Sequence, residues 1–194
     1  MHSILASKRR GPGRRGLVGA AVVGLALVVC APVVPLRSKP GGAARWAHAL
    51  AVSSAVRWAP SAALCRILGE GVGSEGWLPD RGGAWRLTYW APEKSGLLEV
   101  VVDTDGGVTP TEIAATPLRG RTLPADWMDS PRVWAASNSH QKGTPINTFA
   151  AELAFDAEPE RYPGKAVWRI RFYLQQGGYE THVLSPQAQW LARY

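Results

Sequence analysis

The sequence predicts an α+β fold, a helix packed on an antiparallel sheet and built twice. Three observations predict it. Ala51, Ala55, Trp58, Ala62 and Cys65 recur at steps of four and three, the spacing of one helical face. AWRLTYW, from Ala84 to Trp90, alternates Trp85, Leu87 and Tyr89 with Arg86, Thr88 and Trp90, as a half-buried strand does. AVWRIRFYL, from Ala166 to Leu174, then repeats that strand: VWRIRFY matches AWRLTYW as small or branched, Trp, Arg, aliphatic, polar, aromatic, aromatic.

An apolar share of 46% in 194 residues is enough for a real core. The net charge of +7 raises the question of a nucleic-acid partner until it is located. Lys8, Arg9, Arg10, Arg14 and Arg15 supply five positive charges in the first 35 residues, which hold no acid, and the rest of the chain carries 17 basic against 15 acidic residues. A folded part that close to neutral predicts no nucleic-acid groove.

In chain order, residues 1–15 read as a basic cytoplasmic tail. Gly16 to Leu36 is a charge-free run of 21 residues, and about 20 apolar residues in a helix cross a hydrocarbon core of roughly 30 Å. Positive charge before the run and a nearly neutral segment after it predict a single pass, with the N-terminus cytoplasmic and the bulk outside. The Ala-, Arg-, Gly-, Pro- and Val-rich composition suits a high-GC bacterium, and the expected location is a bacterial inner membrane with the C-terminal domain periplasmic or extracytoplasmic. A cleaved signal peptide is the competing reading, since the run is mildly hydrophobic and Pro32 and Pro35 crowd its end. A mitochondrial presequence is a minor alternative. A lipoprotein signal at Cys30 has Val29 where a small residue is needed, and the Arg9–Arg10 pair is followed by Gly-Pro-Gly in place of apolar residues.

Residues 37–43 are a breaker-rich linker. From Ala44 to Gly69 the stripe predicts a helix, interrupted at Pro60, with Cys65 a small buried hydrophobe on it. AWRLTYW and LLEVVVD then form a hairpin ending at the turn DTDGG. Pro110 to Pro124 reads as irregular. A short helix near Pro131 to Ser139 follows, then the strands TFAAELAFD, AVWRIRFYL and YETHVLS. The repeat units are placed at about 44–109 and 125–194.

The stretch DWMDSPRVWAAS, from Asp126, reads as a helix start: proline suits the first turn and the Asp or Ser before it accepts a hydrogen bond from that turn. Trp134 is expected as its largest buried group and Trp127 as packing back on the core. Candidate chemistry is sparse. Cys30 and Cys65 form neither a zinc nor a Cys-x-x-Cys redox pattern, and His2, His48, His140 and His182 lie in no metal-ligand spacing. Asp103, Asp105 and Gly106 start like a calcium loop, but Ala114 stands at the twelfth position, so a hairpin turn is expected. No catalytic, cofactor or metal residue is predicted; an enzyme would need Asp129, His140 and His182 to converge. Of nine tryptophans, Trp58, Trp85, Trp127, Trp134 and Trp168 are expected inside or beside a cap, leaving Trp46, Trp77, Trp90 and Trp190 free for partner contact.

AVRWAPSAALCRI, AWRLTYWAP, EVVVDTDGGV, DWMDSPRVWAAS, AVWRIRFYL and THVLS, in this order over Ala44 to Tyr194, resemble bacterial extracytoplasmic PepSY-like domains. The resemblance implies a cystatin-like unit in two copies, a curved antiparallel sheet wrapped on a helix, behind a membrane anchor or signal peptide. It also implies a role in regulating proteases or in sensing at the cell envelope. LSPQAQW departs from the acidic closing turn of such domains. The expected function is therefore a non-enzymatic, membrane-anchored extracytoplasmic module that binds a protein or peptide. The alternative is a structural or assembly subunit of a membrane complex.

Overall fold

The computed structural model describes residues 42–114, 118–155 and 157–194. The predicted tail and span, 1–15 and 16–36, lie outside the described residues, and among the described ones no helix is long and apolar enough to cross a membrane. The chain runs α1 (Ala44–Trp58), β1 (Ala63–Gly73), β2 (Ala84–Trp90), β3 (Leu97–Asp103), β4 (Val108–Ile113), α2 (Ser130–Asn138), β5 (Pro145–Phe155), β6 (Ala166–Leu174), β7 (Tyr179–Leu184) and β8 (Trp190–Arg193). The fold is α+β. The eight strands among the described residues join one open antiparallel sheet in the order β4-β3-β2-β1-β5-β6-β7-β8. Each helix is followed by a four-stranded meander, and the two meanders meet at β1 and β5.

The helix expected over Ala44 to Gly69 is corrected. Only its first part is helical: the chain leaves α1 at Ala59, immediately before Pro60, and residues from Ala63 form the central strand β1. The 3.6-residue stripe was carried too far, because Cys65, Ile67 and Gly69 are buried between half-buried Leu64, Arg66 and Leu68, which is the alternation of a strand. Cys65 is buried as expected, but at a bulge of β1, where its thiol donates to Thr88 O at 3.1 Å. Burial pushes that thiol's pKa up to about 12. A second correction concerns Pro110 to Pro124, whose first residues belong to edge strand β4, so the first unit extends through Ile113. Proline is tolerated there because an edge strand needs only one side of its ladder.

The main core lies between the sheet and the helices. Ala44, Ala47, Ala51 and Ala55 put only small side chains on the buried face of α1, so the helix sits close to β2 and β3. Trp85 and Trp168, the matched residues of the two repeat strands, are both fully buried, each contributing roughly 2–3 kcal/mol by removing its rings from water. The ring of Trp85 crosses Gly69, where a Cβ would stand 2.4 Å from Cζ3, so β1 needs a glycine there.

Candidate functional site

The DWMDSP stretch joins the two halves. Asp129 is the N-cap of α2 and accepts from Ser130 N at 2.8 Å, as the sequence predicts. It also caps the other helix. Ala43 offers α1 no side-chain cap; Asp129 Oδ1 accepts from Arg45 N at 2.9 Å and Ser130 Oγ from Ala44 N at 3.0 Å. Ser130 Oγ then donates to Gly76 O at 2.7 Å. Gly76 has a positive φ of 81° and its Cβ position lies 2.5 Å from Ser130 O, so no side chain fits between them. Trp127 is buried, with the Arg45 guanidinium 4.2 Å above its ring. Trp134 is only partly buried; Val133 and Ser137 occupy the inner face of α2 instead.

His182 holds the most polar cluster of the core. On β7 it is fully buried, with Nδ1 2.6 Å from Ser137 Oγ and Nε2 2.6 Å from Glu180 Oε1. Burial lowers its pKa more than Glu180 raises it, so the ring is neutral. Burial alone would raise Glu180, but hydrogen bonds from His182 and from the backbone N–H groups of Gly143 and Lys142 outweigh it and hold the carboxyl below its ordinary range. A neutral ring that gives its Nε2 proton to Glu180 accepts the Ser137 hydroxyl proton at Nδ1. The spacing is that of a nucleophile, a base and an acid. Ser137 and His182 are both 0% exposed, however, so the hydroxyl does not meet solvent. Of the three residues an enzyme would need, His140 and His182 both meet Trp190, at ring distances of 3.9 and 5.0 Å, while Asp129 is committed to the helix caps.

Among the described residues, the opposite face of the sheet carries no helix. With Trp85, Leu87, Trp168 and Ile170 turned toward the helices, their neighbours point outward, and charges interleave across the strands. Arg86 pairs with Glu70 at 2.9 Å and Glu99 at 3.2 Å. At the β1–β5 joint, Glu152 takes Arg66 at 2.8 Å on one oxygen and Arg169 on the other. A pocket of about 530 Å³ opens over this joint, with Arg66, Glu152 and Arg169 on its polar side and Ile113, Leu118 and Phe155 on its apolar side.

The four tryptophans proposed for partner contact are all half-buried. Trp46 and Trp190 pack against the core, Trp46 beside Gly106 and Trp190 on His140. Trp77 follows the turn at Ser74–Gly76, and Trp90 ends β2. Among the described residues, the exposed aromatics are tyrosines: Tyr179 at 59%, Tyr173 and Tyr194 each at 41%. All three lie on the helix-free face, since Tyr173 pairs directly with Tyr179 and Tyr194 with Thr181. Arg171 sits 4.8 Å over the ring of Tyr179, and Arg161 4.2 Å over that of Tyr194. Alternation could have found Tyr173, outward beside inward Phe172; Tyr194 needed the pairing of β7 with β8. Among the described residues no group of three potential ligands could hold a metal ion.

Comparison with protein families, curated proteins and solved structures returns no match.

Proposed function

We propose that this chain is a non-enzymatic extracytoplasmic module that binds a protein through the helix-free face of its sheet. It would be held by a single pass at 16–36 in a bacterial inner membrane, with its C-terminal domain periplasmic, and regulate an envelope protease or membrane complex. The observation that carries the binding reading is the exposed tyrosine group, Tyr173, Tyr179 and Tyr194, with arginines stacked on two of its members. Tyr and Arg dominate binding hot spots because they bury large area at small entropic cost and still hydrogen-bond at their tips. The burial of Ser137 and His182 supports the non-enzymatic part. The helix-then-meander unit in two copies supports the PepSY-like resemblance, and the basic tail before an uncharged run supports the anchor.

The test places a photo-crosslinking amino acid singly at Tyr173, Tyr179 and Tyr194, and separately at Val56 on the outward face of α1, in the full chain in its own membranes. A discrete adduct from position 179 and none from 56 is expected. Adducts only from 56, or none from 173, 179 and 194, would refute the surface. Sequencing the N-terminus of the same sample separates a retained anchor from a cleaved signal peptide.

A further inference from the structure

The two repeats differ most at one buried place. Leu87 of β2 pairs with Val100 and Tyr89 with Leu98; in the second unit Ile170 pairs with His182 and Phe172 with Glu180. Counted from the helix starts, Ser137 is the eighth residue of α2 as Ala51 is of α1. Where the first unit buries Ala51, Leu98 and Val100, the second buries Ser137, Glu180 and His182. An all-apolar solution fits this scaffold, so the polar one is not a requirement of the fold. Buried acids are costly to keep, and beyond its bond to His182 this one directs its contacts outward.

Glu180 accepts from Gly143 N at 3.2 Å and Lys142 N at 3.4 Å, and lies 3.8 Å from Arg193 Nε. Arg193 donates Nη1 to His140 O at 2.8 Å, which fixes its guanidinium between the end of α2 and β8. These are the walls of an open cleft of about 570 Å³ lined by Ser139, His140, Gln141, Lys142, Trp190 and Arg193. Two permanent cations and no acid line it, over a floor made by the His140–Trp190 stack. The corresponding cleft of the first unit, beside Arg57 and Trp58, includes Glu112 and rests on Leu98.

We infer that the cleft between the end of α2 and β8 binds an oxyanion, a carboxylate or phosphate group carried on a flat or apolar body. Lys142 and Arg193 take the charge, the His140–Trp190 stack takes the body, and Glu180 is a positioning residue that holds the cleft's rim. The anion is drawn by two cations against one acid already spent on Arg193 and on two backbone N–H groups. The inference stands apart from the tyrosine surface, which lies on the other side of the sheet, so either can fail alone.

The experiment titrates the purified, isotope-labelled full chain with benzoate, inorganic phosphate and uncharged benzamide at matched ionic strength, following the Lys142 and Gly143 amides and the Trp190 indole N–H by NMR. Saturable shifts with benzoate or phosphate are expected, and their relative affinity tells a carboxylate site from a phosphate site. Benzamide should bind at least tenfold more weakly than the better anion. Lys142→Gln combined with Arg193→Gln should lose at least tenfold. Glu180→Leu should lose a similar factor, while Glu180→Gln, which keeps one acceptor oxygen where the carboxylate offers one to Lys142 N and another to Gly143 N, should lose only about threefold, each variant checked for an unchanged fold by its amide spectrum. Equal shifts with benzoate and benzamide, or no saturation by either anion below 20 mM, overturn the inference. Equal loss in Glu180→Leu and Glu180→Gln overturns the positioning role.

Discussion

Replacing the His182 relay by the first unit's own residues separates the cost of the polar cluster from the cost of breaking it. His182→Val alone removes both ring bonds, stranding a hydroxyl that is 0% exposed and taking one partner from Glu180. A stranded buried hydroxyl costs about 1–3 kcal/mol and a lost bond to a charged group about 1.5–3 kcal/mol, so the variant should lose about 3–5 kcal/mol. The triple variant Ser137→Ala, Glu180→Leu, His182→Val reproduces the set Ala51, Leu98, Val100 and leaves no stranded group in the core. Arg193, 27% exposed, can turn its guanidinium to water. The triple should therefore lie within about 1 kcal/mol of the parent or above it, as buried charged clusters often do when replaced whole. Urea unfolding followed by tryptophan fluorescence measures this: at an m-value of about 2 kcal/mol/M the single variant's midpoint falls by roughly 2 M. A single variant within 1 kcal/mol of the parent, or a triple as unstable as the single, would refute the repeat-equivalence argument.

Ser130→Ala should cost about 2–3 kcal/mol, because it orphans Ala44 N and Gly76 O together. Calorimetry should show Tm falling by roughly 5–10 °C, and a fall under 2 °C would mean that water replaces the hydroxyl. Glu152→Gln should destabilise by about 3 kcal/mol, since one carboxylate with 9% side-chain exposure holds both Arg66 and Arg169, whereas Glu70→Gln, 54% exposed, should cost under about 0.5 kcal/mol. Similar urea midpoints for the two variants would contradict this ranking. Stability should also fall as pH drops below about 6.5, because burial lowers the folded pKa values of both His48 and His182 and the unfolded chain takes up those protons first. Glu180, held below its ordinary range when folded, adds a loss of the same sign at lower pH, as its folded pKa is crossed. Urea midpoints across pH 8 to 5 measure the slope, which should be shallower in the triple variant; a flat profile would count against neutral buried histidines.

What the sequence by itself determined is local. Period-two alternation placed β2, the match of AWRLTYW with VWRIRFY placed β6 and disclosed the repeat whose Trp, Arg and aliphatic positions share burial, and the Ser-Pro pair placed the start of α2. Periodicity failed at residues 63–69, where alanine, leucine and cysteine suit either period, and Pro60 was the available sign that the helix had ended. For the tryptophans it left open how much of each ring is covered, because the groups against Trp46 and Trp190 come from elsewhere in the chain.

The tertiary structure decided everything that depends on long-range pairing. Asp129 and Ser130 cap a helix 84 to 86 residues away, and Glu152 joins two arginines from different meanders. Ser137, Glu180 and His182 meet only because β7 runs beneath α2. The physical reason is one of range. Steric and propensity rules act over a few residues, so they write helices and strands into the sequence; a hydrogen bond or ion pair between distant segments leaves no spacing to read until the sheet has brought its partners together.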